Sequence, residues 1–135
     1  HVENPATFLS EVHRVLKPGG SYFLRTPNNY HYVAIISRWT PHWFHERVAN
    51  RVRGLAEEAH APYPTFYRLN TRRAIARAAR QARFSGIEME MVEGHPSYLM
   101  FHAVPFFAGV AYERLVNSNR LLAGLRANIL TRLVK

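Results

Sequence analysis

A Lys-Pro-Gly-Gly corner between two apolar runs, Lys17 to Gly20, constrains this chain more than any other feature. Proline cannot continue a helix, and a glycine beside it is free to take the left-handed conformation that closes one. Upstream, Asn4 is a good N-cap and Pro5 sits where a missing N–H costs nothing. Phe8, Leu9, Val12, Val15 and Leu16 recur at helical spacing, so residues 4 to 17 read as a helix. Downstream, Ser21 to Arg25 reads as a short strand bounded by Gly and Pro. Helix, tight turn and buried strand make half of a βαβ unit, which predicts an α/β fold. Thr26-Pro27-Asn28-Asn29 falls just past the strand's C-terminal end, where open α/β sheets bind ligands.

The rest of the chain continues the alternation. Tyr30 to Trp39 is predicted as a short helix, broken by Thr40-Pro41. Phe44, Val48, Val52 and Leu55 make one apolar stripe on a second helix, and Ala61 to Leu69 reads as a covering loop. Asn70 or Thr71 caps a helix over Arg72 to Ala82, whose apolar face is small: Ala74, Ile75, Ala78, Ala79 and Ala82. Ile87 to Val92 alternates as a half-exposed strand, and Gly94-His95-Pro96 turns the chain. Tyr98 to Val104 is expected to return as an antiparallel strand, followed by helices over Phe106 to Val116 and Arg120 to Val134.

The 135 residues are enough for one domain with one core. There is no cysteine, which excludes a disulfide framework and a thiolate zinc site and fits a reducing compartment. The formal net charge of +9 draws such a chain toward polyanions, though arginine supplies nearly all the positive charge, as a GC-rich coding sequence also would.

The stretch from His1 to Asn28, "HVENPATFLSEVHRVLKPGGSYFLRTPN", resembles the middle of a class I S-adenosylmethionine-dependent methyltransferase. In that family a histidine and a proline mark the turn after the fourth strand, a helix ends in Leu-Lys/Arg-Pro-Gly-Gly, and the fifth strand ends in a small polar stretch. His1, Pro5, Leu16 to Gly20 and Thr26 to Asn28 match. "YRLNTRRAIARAARQARFSGIEMEMVEG" is similar to the family's helix and sixth strand. The resemblance spans roughly residues 1 to 104, and residues 105 to 135 would be a helical C-terminal extension. Two departures stand out: Arg83 replaces the usual helix-closing glycine, and Arg72 and Arg73 lie in a first turn that favours acids.

The resemblance implies an incomplete Rossmann-like sheet, its last three strands only, with the final strand antiparallel between the fifth and sixth. It implies S-adenosylmethionine as cofactor and a small-molecule or lipid-like methyl acceptor. His1 would face the pocket as a catalytic and cofactor-binding residue, or hold the turn by a hydrogen bond. Pro27 and Asn28 would line the substrate pocket, with Tyr30 and His31 on the following lid, where structural roles compete. The family's Gly-rich cofactor loop and ribose-binding acid do not occur in these residues. The chain therefore reads as a piece of something longer, inactive by itself.

Other features carry less. His42, His45 and Glu46 lack a third metal ligand at suitable spacing, so no metal site is expected. Arg73, Arg77 and Arg80 form a helical stripe, but no nucleic-acid-binding motif accompanies it. Leu121, Leu122, Leu125, Ile129 and Leu133 predict a basic amphipathic C-terminal helix. Such a helix packs on its own domain, on a second subunit, or on an anionic membrane. A cytoplasmic protein, peripheral to the membrane if that helix binds lipid, is the expectation. A non-catalytic module that binds a membrane or partner is the alternative to the enzyme. A severed sheet would leave the first strand's apolar edge open, so the chain should self-associate. Sedimentation velocity should show oligomers; a sharply melting monomer in dilute buffer would contradict this.

Overall fold

The computed structural model describes residues 2–39, 66–94, 99, 100 and 102–135. In chain order the elements are α1 (Pro5–Val15), β1 (Ser21–Pro27), α2 (Tyr32–Trp39), α3 (Arg72–Gln81), β2 (Gly86–Val92), α4 (Ala103–Ser118), a short 3-10 helix (Arg120–Leu125) and β3 (Asn128–Val134). The fold is α/β: a small open sheet of three strands, in the order β1-β3-β2, with helices packed on it. β3 runs antiparallel to both neighbours, so β1 and β2 point the same way on either side of it. With only antiparallel neighbours, this is not the order of a doubly wound parallel sheet.

The local signals at the corner act as expected. Asn4 Oδ1 accepts from Thr7 N–H at 3.2 Å, capping α1. Beyond it, Gly20 N–H donates to Lys17 O at 2.8 Å, with Pro18 and Gly19 (φ +73°) between them. Proline then left-handed glycine is the composition of a type II turn. A Cβ on Gly20 would lie 2.8 Å from Lys17 O, so the second glycine is required by space. The Lys135 ammonium donates to Leu16 O at 2.8 Å, placing a cation at the carbonyl end of α1.

One face of the sheet carries the core. Leu9 of α1, Ala78 and Ala79 of α3, Ala82, Phe84 and Leu133 of β3 form a buried cluster, flanked by Val12, Leu16, Tyr22, Leu24 and Ile87. Ile75, Met91 and Ile129 form a second cluster nearer the sheet's other end. The alanine face of α3 lets the helix lie close to the strands. On the opposite face Phe23 is 70% exposed, and Arg132 reaches across to Ser21 Oγ and the Glu88 carboxylate. Among the described residues the outer edge of β1 has no partner strand.

Three expectations need correction. Residues 120 to 134 are not an amphipathic helix: a 3-10 turn covers 120–125, and Asn128–Val134 is the central strand. Ile129, Thr131 and Leu133 are buried at period two, a pattern that coexists with the helical spacing of the leucines upstream. Pairing on two sides decides between them. The membrane contact assigned to a C-terminal helix thereby loses its helix, and the tail is no appendage, since its last strand lies inside the sheet. Of the span Tyr98 to Val104, expected to return as a strand, the described residues Leu99, Met100 and His102 form none, and α4 begins at Ala103, with the His102 ring accepting from Val104 N–H at 3.3 Å. Pro105 falls in that first turn, where its missing N–H is harmless. The expected helix through Phe44 and Leu55 and the turn at His95-Pro96 lie outside the described residues.

α3 ends as a Schellman motif. Phe84 N–H donates to Ala79 O at 3.1 Å and Arg83 N–H to Arg80 O at 3.0 Å. Arg83 sits at φ 66°, the left-handed region that a side chain enters at a cost. Replacing it with glycine should therefore stabilise the fold by up to about 1 kcal/mol, less the entropy glycine adds to the unfolded chain. Urea denaturation reads the change; a destabilised Arg83→Gly variant would show that the arginine side chain contributes more than its backbone strain costs.

Candidate functional site

The carboxyl ends of β1 and β2 meet the start of β3, because Pro27 pairs with Asn128 on one side and Val92 with Asn128 on the other. The chain leaving β1 is fastened there by two asparagines. Asn28, 2% exposed, donates from Nδ2 to Gly124 O at 2.7 Å and Arg126 O at 2.8 Å, and its Oδ1 accepts from Tyr30 N–H at 3.1 Å. Asn70 donates from Nδ2 to Thr26 Oγ1 at 2.9 Å and Pro27 O at 2.8 Å. Thr71 caps α3, its hydroxyl accepting from Ala74 N–H at 3.1 Å, which leaves Asn70 for this second task.

These bonds turn the chain so that His31, at the start of α2, enters the interior. Its Nε2 lies 3.5 Å from Oε1 of Glu93, the residue after β2. The two side chains are 11% and 4% exposed. Nε2 is sealed from solvent without a hydrogen-bond partner. The ring packs against Tyr32 of α2 at 4.2 Å between centroids and against Tyr112 of α4 at 5.7 Å. The Tyr112 hydroxyl donates to Leu125 O at 2.7 Å. Glu93 accepts from Ala127 N–H at 3.1 Å through Oε2 and from Gly94 N–H at 3.1 Å through Oε1. Arg126 spans the gap from α4 to β2, donating to Val116 O at 3.1 Å and Met91 O at 3.0 Å.

Burial sets the electrostatics. Desolvation lowers the His31 pKa from 6.5 to about 4, so the ring is neutral near pH 7. Desolvation also raises the Glu93 carboxyl above its ordinary value, reinforced by Glu113 and opposed by the backbone donors and Arg126. Tyr112 is raised by burial and by the charge of Glu93. A neutral imidazole beside a partly desolvated carboxylate is an arrangement suited to holding and moving a proton.

Of the sequence candidates, Asn28 and His31 come together at this end of the sheet. Asn28 has both its amide hydrogens engaged internally, so it positions the segment. Pro27 ends the edge strand β1 and offers its carbonyl to Asn70. Tyr30 is 58% exposed beside the cluster. His1, and the His42, His45 and Glu46 set, lie outside the described residues. No cluster of metal-binding side chains occurs among the described residues, and no helix among them is long and apolar enough to cross a membrane. Glu93 was not singled out from the sequence, yet a signal exists. Ile87, Met89 and Met91 point inward at period two, and Glu93 continues that inward parity with an acid.

The arginine stripe of α3 lies elsewhere. Arg72, Arg73 and Arg80 line an open groove of about 500 Å³ against Ile87 and Met89 of β2, and Arg77 lines a smaller one. Both grooves are shallow and built on the helix side, away from the buried pair. No protein-family model, no curated protein and no solved structure matches the chain.

The shifts of His31 and Glu93 act oppositely on stability. Between about 4 and 6.5 the unfolded chain holds a proton that the folded His31 refuses, so this contribution is complete above pH 6.5 and lost as the pH falls toward 4. Above 4.5 the unfolded chain has released a proton that the folded Glu93 keeps, so stability falls as the pH rises to the folded pKa. Where both operate the proton counts cancel. Glu93→Gln should uncover the histidine slope, with stability climbing by at most about 3 kcal/mol between pH 4 and 6.5. His31→Gln should uncover the opposite slope. Urea titrations at half-unit pH steps measure both, and parallel profiles in all three proteins would refute the coupling.

Proposed function

We propose that this chain is the C-terminal part of a class I S-adenosylmethionine-dependent methyltransferase domain, acting on a small-molecule or lipid-like acceptor. The observation that carries the reading is the threading of the sheet. β3, last in the chain, inserts antiparallel between β1 and β2, which run parallel to each other. The resemblance implies this arrangement for the last three strands, although Asn128–Val134, and not the expected Tyr98 to Val104, takes the central place. Two further observations support it. α1 and α3 cover the same face of the sheet, as crossover helices to parallel strands do. The polar cluster sits at the carboxyl ends of β1 and β2, the edge where open α/β sheets hold ligands.

The described residues do not themselves form a cradle for S-adenosylmethionine. Glu93 is turned inward onto Ala127 and Gly94, where it cannot clasp a ribose, and Asn28 and Asn70 are bonded within the fold. Nor does a Gly-rich loop for backbone approach to the cofactor occur in the sequence. What these residues contribute to the reading is the acceptor side: a closed, partly apolar wall of Tyr32, Tyr112 and His31 that excludes water from a reacting group. The alternative of a membrane-binding module rested on the C-terminal helix, which β3 replaces.

Calorimetric titration with S-adenosylhomocysteine tests the proposal. This chain should bind it no better than millimolar, and a longer chain that supplies a Gly-rich loop followed by an acid upstream of His1 should bind it at a Kd of about 1–100 μM, a gain of at least about 1.4 kcal/mol. A longer chain that carries no such loop, or carries it and does not bind, would refute the reading.

A further inference from the structure

Resting on the methyl-transfer reading, we propose that His31, oriented by Glu93, accepts the proton given up by the methyl acceptor, which makes that acceptor a hydroxyl or N–H compound. The geometry begins with an anomaly. A histidine serving only the core has its buried nitrogens hydrogen-bonded, because an orphaned buried donor or acceptor destabilises the fold by roughly 1–3 kcal/mol. His31 Nε2 is buried and unbonded, yet it faces a carboxylate oxygen 3.5 Å away. Catalytic pairs are often this loose before substrate arrives and tighten in the reacting complex.

The groups around the ring favour one division of labour. Glu93 faces Nε2 from the end of β2. Tyr32 and Tyr112 pack against the ring, and the Tyr112 hydroxyl is engaged by Leu125 O and by the backbone of Tyr32. Glu113 and Arg126 act on Glu93 with opposite sign. Nε2–H directed at the Glu93 carboxylate leaves the lone pair on Nδ1. In the step, the acceptor's X–H bond breaks, its electron pair stays on X, and the Nδ1 lone pair takes the proton. The imidazolium so formed has its second N–H on Glu93, which stabilises the charge as it appears. Glu93 is therefore a positioning residue and His31 the catalytic one. A sulfur acceptor already ionised as thiolate needs no such group, and this selects the acceptor class.

Imidazole ¹⁵N NMR of the chain at pH 8, above the acid titrations, tests the assignment directly. The expected spectrum shows neutral His31 with its proton on Nε2. Glu93→Gln should weaken that tautomer preference by about tenfold, the loss of one charge-assisted partner. Millimolar phenol, which can donate, should move the Nδ1 resonance, and anisole, which cannot, should leave it in place. A proton on Nδ1 in the unmutated chain, or equal responses to phenol and anisole, would overturn the proposal even if Glu93→Gln failed to fold. The two readings fail separately. If the longer chain does not bind S-adenosylhomocysteine but the Nε2–H tautomer and the phenol response hold, methyl transfer falls and with it the acceptor class. If it binds and the proton sits on Nδ1, methyl transfer stands and His31 is not its proton acceptor.

Discussion

Everything in this structure hangs on one strand being paired on both sides. Each residue from Asn128 to Val134 has a partner on β1 and another on β2, so the last part of the sequence joins segments more than 60 residues apart. Neither β1 nor β2 pairs with the other, and without β3 each would be a lone ribbon under a helix. The pairing is tight enough to select residues. A side chain on Gly86 would meet Val134 Cβ at 3.1 Å and would have to push that side chain aside by a few tenths of an ångström. Backbone bonds continue past the ladder, from Lys135 to Gly20 and from Ser85 to Val134. The helix-ending corner is thereby fixed to the final strand.

The polar cluster is a consequence of that pairing. Because β3 starts where β1 and β2 end, the turn that leads into it must pass over their carboxyl ends. That turn brings Arg126 and Ala127 within reach of Glu93, Met91 and Asn28. The carbonyls freed at the end of α4 and at the 3-10 helix would be unpaired there, and Arg126 and Asn28 supply the missing donors. A network of this kind is stable only when nearly every member is satisfied. Its exception is the meeting of His31 and Glu93, where the fold retains two titratable groups in a desolvated place and gives Nε2 no bond. Titratable groups perturbed in this way cluster where chemistry is done.

Legibility in the sequence followed the range of the forces involved. Helix caps act over three residues, and Asn4, Thr71 and the Pro-Gly-Gly corner all did what their chemistry predicts. Even the strain at Arg83 could be read, because a left-handed terminus follows from where α3 must end. The central strand could not be read from its own residues. Leu121 to Leu133 satisfies a helical period, and only the two neighbouring strands, set by sequence far upstream, turn Ile129, Thr131 and Leu133 into one buried row. Half of the candidate site was similarly hidden. His31 was visible as a polar residue past a strand end. Glu93 belongs with it only once β2 lies two places across the sheet, although its inward parity behind Met89 and Met91 was there to be noticed.

The charge of the molecule and its site are then two separate matters. The arginines of α3 lie on the outer surface of the helix, where water screens them and their mutual repulsion costs little. They raise the net charge without touching the buried pair. At the sheet's end the reverse holds: few charges, none screened, each position set by backbone that cannot move without unpairing β3. Desolvation in the second environment moves His31 down and Glu93 up from their ordinary values, which contact with water would not do. The strand that makes the fold possible also makes that environment, and any substitution that loosens β3 should be felt at His31 before it is felt in the helices.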